Sequence, residues 1–260
     1  MASDVRSIGD DRVLLELDSV RCTVVGRLNR FVARVHAPDG ESLAHINNTG
    51  RLLDFMRQGA ASYCIPRGSP GRTRYRLVAF DDRGGAALID TAIQMSALES
   101  AIARGYLRWA SGCSVVRRSP RLGDSVLDYL LNCTDRGPVY VEVKSAVMRG
   151  PGDVSMYPDC PTERGRRQIS TMAEWASRGV CAAVVFIAAF PGASSFTPND
   201  AGDPGIRSTL RAARSAGVEL RAISMHYDGR RVVLDRDDLP VHLRRSAIRA
   251  SYYPREMNVG

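Results

Sequence analysis

From residue 13 to about residue 90, short runs of Val, Leu, Ile, Tyr and Thr alternate with polar positions and break at turn residues. The runs 13–17, 21–28, 31–36, 42–46, 60–65 and 74–80 have the length and composition of strands. Between them stand Asp39-Gly40, Asn47-Asn48-Thr49-Gly50 and loops at 66–71 and 81–85, rich in the residues that form tight turns. Such regular short strands predict a small closed β-barrel. Its size fits a five-stranded OB-type barrel, and an SH3-like barrel would show the same pattern.

After Asp90 the period lengthens. Leu98, Ala101, Ile102 and Gly105 recur at i, i+3, i+4 and i+7 and predict a helix over 94–107. Strands are predicted at 114–118, 126–131 and 139–144, then a helix at 162–178. The unbroken apolar run 180–189 suits a central strand covered on both faces. A helix at 204–216 leads through Gly217 into a strand at 218–225. This order describes a mixed α/β sheet flanked by helices. The natural cut near 82–90 gives a barrel over 1–85 and an α/β domain over 86–260, with an Arg-rich, loosely held tail after Leu243.

The chain has 260 residues, 44% hydrophobic and 25% charged, which is ordinary for a folded globular protein and too apolar for a disordered one. Its net charge of +8 favours a polyanionic partner, and most of the excess lies beyond residue 90. The start lacks the basic-then-apolar run of a signal peptide, and the longest apolar stretch is too short to span a bilayer. A cytoplasmic protein without a membrane partner is expected. The six cysteines form no C-x-x-C pair and read as reduced, mostly buried thiols, while four scattered histidines argue against zinc. One number is unusual. Of the 36 basic residues a single one, Lys144, is lysine.

Lys144 lies in Val141-Glu142-Val143-Lys144, and in a strand Glu142 and Lys144 share a face. The preceding predicted strand carries Asp128, and a hairpin centred on Asp135 would set Asp128 opposite Glu142. Two carboxylates so close need a cation between them. Mg²⁺ (or Mn²⁺) fits, since it takes a few protein oxygens and keeps other positions for water and phosphate. Glu99, beside the Leu98/Ile102 stripe, would complete the metal shell with Asp128 and Glu142. Arginine replaces lysine freely in a surface ion pair but not where a compact, titratable charge is needed, so the lone lysine marks a site. Downstream, Arg164 and Arg167 project from the first turn of a predicted helix, where free N–H groups already favour anions, and Gly165 faces the sheet.

These residues resemble the sugar fermentation stimulation protein A family. The likeness rests on Asn48-Thr49-Gly50-Arg51, Asp90-Thr91, Leu98-Glu99, Asp128-Tyr129-Leu130-Leu131, Glu142-Val143-Lys144 and, above all, Pro158-Asp159-Cys160-Pro161-Thr162-Glu163-Arg164-Gly165-Arg166. It runs from about Arg27 to Leu243. It implies an N-terminal OB-fold and a C-terminal domain similar to the PD-(D/E)xK nucleases, in which Asp128, Glu142 and Lys144 match the catalytic pattern and Glu99 the acidic residue of the first core helix. It also implies DNA binding and a link to regulation of sugar fermentation genes. Ile46-Asn47, Gln94-Met95, Val126 and Gln168 depart from the family pattern; Asp128, Glu142 and Lys144 do not.

The expectation is therefore a DNA-binding protein with a Mg²⁺-dependent phosphodiesterase site. The alternative is a non-catalytic DNA-binding regulator of sugar metabolism genes. Arg164, Arg166 and Arg167 would contact nucleic acid from the second domain. Arg51, Arg72 and Arg74 would do so from the barrel, where Arg76, Tyr75, Arg27, Arg30 and Phe31 add basic and aromatic groups. No small organic cofactor is expected, and a homodimer is left open.

Overall fold

The structure is a computed structural model that describes residues 12–68 and 71–244; the predicted tail lies almost wholly outside the described residues. The first seven strands are β1 (Val13–Glu16), β2 (Val20–Asn29), β3 (Val32–Ala37), β4 (Gly40–Ile46), β5 (Ala61–Pro66), β6 (Tyr75–Asp82) and β7 (Gly85–Leu88). Strands β3, β2, β5 and β6 are antiparallel neighbours, and β4 closes the ring by pairing with β3 on one side and, in parallel, with β6 on the other. Alternate residues of β3 and β4, Ala33, Val35, Ala37, Ala44 and Ile46, fill the interior. The barrel is the five-stranded OB type.

One strand differs from the sequence reading. β1 pairs not with the barrel but with the last strand among the described residues, Arg231–Arg236, so the barrel proper begins at β2. Alternation alone shows that a strand has one buried face, not which sheet buries it.

The second part contains α1 (Thr91–Ala103), β8 (Cys113–Arg118), β9 (Arg121–Leu122), β10 (Ser125–Val126), β11 (Tyr129–Cys133), β12 (Gly137–Ser145), β13 (Met148–Arg149), β14 (Val154–Tyr157), α2 (Glu163–Ala176), β15 (Cys181–Ala188), β16 (Ser195–Pro198), α3 (Ile206–Ser215), β17 (Glu219–Tyr227) and β18 (Arg231–Arg236). Its main sheet runs β8-β11-β12-β15-β17-β18, parallel across β12, β15 and β17 and antiparallel elsewhere. β15 sits at the centre, with Val184 to Ile187 fully buried. The apolar run predicted this position, because a strand covered on both faces has no polar side to show.

The two parts are one hydrogen-bonded sheet. β7 continues the barrel from β6 and meets β17 at Ala86 and Tyr227. The junction into α1 is capped by Asp90, which has no exposed surface; its carboxylate accepts from the Ile93 N–H at 3.0 Å and binds the Arg76 guanidinium and Asn47. This cap starts the helix three residues earlier than the apolar stripe predicts, and Gly105, at positive φ, follows its end.

The cysteine expectation needs correction. Cys22 and Cys64 are joined across β2 and β5, and Cys113 and Cys133 across β8 and β11, leaving Cys160 and Cys181 free. Sequence spacing carries no trace of this, since cross-strand neighbours can be any distance apart along the chain. Among the described residues no helix is long and apolar enough to cross a membrane.

Candidate active-site cleft

The β11–β12 hairpin pairs Tyr129 with Val141 and, at its end, Cys133 with Gly137, a register centred on Asp135. Asp128, one residue ahead of β11, therefore comes opposite Glu142. Its carboxylate accepts from the Val143 N–H at 2.7 Å. On β12, Lys144 Nζ donates to Glu142 Oε1 at 2.6 Å and to Gln168 Oε1, on α2, at 3.0 Å. Gln168 Nε2 in turn donates to the Val126 carbonyl at 2.9 Å, which fixes the amide's orientation. Glu142, Lys144 and Gln168 are all buried.

Burial governs the charges. It pushes the Glu142 carboxyl up to about 7, with the neighbouring Asp128 adding to the rise and Lys144 opposing it. Burial also raises Asp128, against the Val143 N–H bond and the charges of Lys144 and Arg164. Burial works against the charge of Lys144, but Glu142 outweighs it, and the ammonium is held above its ordinary range. The result is a charged lysine between acids that share too little positive charge. Glu142 Oε2 is buried with no hydrogen-bond partner.

This group opens into a cleft of about 500 Å³. Arg164, Gly165 and Gln168 of α2 line one wall, and Arg30, Asn48, Thr49 and Gly50 of the barrel line the other. The barrel wall is tied down from three directions. The Asn48 side chain donates to the Ile89 carbonyl and accepts from the Gly50 N–H, both at 2.8 Å. Arg27 spreads its guanidinium over the carbonyls of Arg30, Gly50 and Arg51. Asp159, from the far side, accepts from the Leu52 N–H at 3.1 Å. A Cβ at position 50 would collide with the Asp159 carboxylate, so the Gly50 backbone can approach only as glycine. Gly165 serves the same end on α2, where a Cβ would strike Thr162 and the Tyr157 hydroxyl.

The predicted residues divide. Asp128, Glu142, Lys144 and Arg164 meet at the cleft. Glu99 does not: it binds Arg118 through two hydrogen bonds at 2.8 and 2.5 Å, which hold its carboxyl below the usual range, and it lines a separate depression between α1 and β8. The reason lies in the helix wheel. α1 buries Ile93, Ala97, Leu98, Ala101 and Ile102, and Glu99 falls at the margin of that stripe, over edge strand β8. Arg166 is drawn to Asp203 at 3.1 Å, and the same carboxylate accepts the Thr162 N–H at the start of α2. Arg167 is exposed outside the cleft lining, and Arg51 is exposed beside Gly50. Arg72 and Arg74 lie away from the cleft, Arg74 paired with Asp39 at 2.8 Å. Of these six arginines, Arg164 alone lines the cleft. Tyr75 is a barrel core residue, while Phe31 is 48% exposed under the Arg30 guanidinium.

Sequence reasoning did not place Gln168 or Asp159 in the site. Gln168 carried a signal, because it follows Arg164 by four residues and so shares its helix face. Asp159 stands in the run that carries the family resemblance, but its contact with the barrel loop depends on where that loop sits.

With the geometry described, the comparisons can be read. The family model described as the SfsA N-terminal OB domain matches residues 25–89, and that of the sugar fermentation stimulation protein RE domain matches residues 92–231. A sugar fermentation stimulation protein homolog from Pyrococcus furiosus is 43% identical over 222 residues, covering 85% of this chain and 95% of its own. The chain belongs to the sugar fermentation stimulation protein family. A homolog from Archaeoglobus fulgidus is 40% identical over 88% of this chain and 98% of its own. The solved structure of Pyrococcus furiosus SfsA in complex with Ca²⁺ superposes with a TM-score of 0.84 at 41% identity, over 88% of this chain and 99% of that one. The barrel followed by a mixed sheet is thus a fold shared with that relative.

In this member of the family the cleft fits a divalent cation. Glu142 Oε2, buried and unpartnered, is the atom that asks for one, and Asp128 faces it. Among the described residues no three acidic, cysteine or histidine side chains converge, so the protein offers two carboxylates.

Proposed function

We propose that this protein binds DNA and hydrolyses a phosphodiester in the cleft between barrel and sheet. The observation that carries the reading is the buried, unpartnered Glu142 oxygen beside Asp128, with the chain's single lysine on the same face. Asp128 and Glu142 would hold Mg²⁺ or Mn²⁺. Such an ion lowers the pKa of a bound water and neutralises charge on the reacting phosphate. The chain's own groups do the rest. Lys144, fixed between Glu142 and Gln168, holds the attacking water or a nonbridging phosphate oxygen. Arg164, exposed at the mouth, holds the neighbouring phosphate through paired N–H donors. Water attacks phosphorus in line; its oxygen forms the new P–O bond, its proton passes to solvent, the bond to the leaving oxygen breaks, and that oxygen takes up a proton from solvent. The net charge of +8 supports a polyanionic substrate, and the Ca²⁺ complex of the Pyrococcus furiosus relative supports a divalent site.

The reading without catalysis, a DNA-binding regulator, has one observation in its favour: both acceptors near Lys144 Nζ already engage it. Cleavage of single- and double-stranded DNA by wild type and Lys144→Ala, with and without Mg²⁺ or Mn²⁺, separates the two. Metal-dependent cleavage lost in Lys144→Ala, with DNA binding retained in both proteins, is the expected result. Salt-sensitive binding without cleavage by wild type leaves the regulator, and no binding at low salt sinks both.

A further inference from the structure

A second cavity of about 240 Å³ adjoins the cleft and differs from it in character. Its walls are Leu52, Leu53 and Phe55 from the barrel loop and Val147, Met148 and Met156 from the sheet side. Val147, Met148, Met156 and Asp159 line both spaces, so the two share a wall. The cleft is polar and carries Arg30 and Arg164; the cavity is mostly apolar, its charged lining being Asp54, Asp159 and Arg149, whose guanidinium is paired with Asp82 and Asp153. Asp54 accepts from the Arg149 N–H and Asp159 from the Leu52 N–H, which fixes both carboxylates from the backbone.

We infer that this cavity receives an unpaired nucleobase of the DNA strand whose phosphate lies in the cleft. The inference rests on the phosphodiesterase reading and names its substrate class. A nucleotide has an anionic part and a flat, largely apolar part, and the two adjoining spaces match them in that order. The carboxylates of Asp54 and Asp159 at the lining of the second space suit hydrogen bonds from an exocyclic amino group, as acidic side chains accept from cytosine. Adenine and cytosine carry that donor; thymine does not. A paired base has its Watson–Crick edge occupied and cannot enter, so the substrate presents single-stranded or flipped-out nucleotides. Leu53, 64% exposed at the mouth, is the residue the base must pass.

Binding of labelled oligo(dA), oligo(dC), oligo(dT) and an abasic strand of equal length, measured by anisotropy at low salt without Mg²⁺, tests the idea. The dA and dC strands are expected to bind about five- to a hundredfold more tightly than dT or the abasic strand, the range of one stacked and hydrogen-bonded base. Leu53→Glu, at an exposed position that leaves the fold untouched, removes this preference and retains the salt-dependent binding of the abasic strand. Asp159→Asn, which offers an N–H in place of a second acceptor, brings dT towards dA and dC. Four strands bound alike by wild type, or an unchanged preference in Leu53→Glu, overturns the base pocket alone. Failure of every strand and of duplex to bind overturns the nucleic-acid reading together with it. A base preference without metal-dependent cleavage removes the hydrolytic chemistry and keeps the pocket.

Discussion

At Lys144 the side chain is almost wholly enclosed, and its Nζ meets one carboxylate oxygen and one amide oxygen at 2.6 and 3.0 Å. An ammonium satisfies both with a point charge. A guanidinium brings five donors in a rigid plane and would leave several unpaired in the same space. Lys144→Arg is therefore expected to lose about a hundredfold or more in cleavage rate while DNA binding holds, read by single-turnover assays beside anisotropy. It is also expected to cost about 1–3 kcal/mol of stability in urea unfolding, the usual penalty for buried donors without partners. A second titrating pair lies far from the cleft. His226 Nδ1 bonds Asp235 at 2.8 Å, and that bond holds the imidazole above its ordinary value of 6.5. A raised folded-state pKa means the native protein binds more protons than the unfolded chain as pH passes 6.5. The contribution is complete below that value and is lost as pH rises through the folded one. Wild-type stability should fall across that window more than that of His226→Gln, as urea midpoints at several pH values would show.

At the scale of elements, much of the fold was legible where one pattern dominates. β15 had its unbroken apolar run, α2 its stripe of Ile169 and Met172, and the β11–β12 hairpin its symmetric loop, which aligned Asp128 with Glu142. Features fixed by partners outside the element were not legible. Nothing around Glu99 records that Arg118 waits on the neighbouring strand, and nothing in β1 points to β18. The short strands β13, β14 and β16 form a separate three-stranded sheet whose members are too brief to alternate visibly. Cysteine pairing belongs to the same class. β8 is an edge strand, and its first residue is linked to the last of β11. Alkylation under non-reducing denaturation should label two thiols, Cys160 and Cys181, of the six cysteines. Reduction opens both bridges and should lower stability by about 3–4 kcal/mol for each, read as a drop in Tm. Labelling of all six restores the reduced-thiol expectation.

Over the whole molecule, the cleft exists only because barrel and sheet hold a fixed relation. Beyond the β7–β17 pairing, Arg149 of β13 is the main fastening. Its guanidinium binds Asp82 of the barrel and Asp153, lies 4.1 Å over the Phe190 ring, and its N–H reaches Asp54. Both Arg149 and Asp82 side chains are largely shielded from water. Removing one partner of such a pair leaves an uncompensated charge, so Arg149→Ala should cost about 3 kcal/mol or more. Because the sheet is continuous, wild type should unfold in one calorimetric transition. Arg149→Ala should weaken catalysis before it unfolds, since Gly50 and Asp159 drift apart; two separate transitions in wild type would show that the parts are independent.

The pairing of β1 with β18 has a consequence for synthesis. Val13 and Val233 are hydrogen-bonded neighbours separated by nearly the full described length. On the ribosome the barrel can close as soon as its five strands have emerged, by local hairpins and one parallel contact. β1 is made before the barrel and must wait, unpaired and with Leu14 uncovered, until β18 arrives. A segment made ahead of the barrel is thus placed after it, and its docking signals that translation has reached β18.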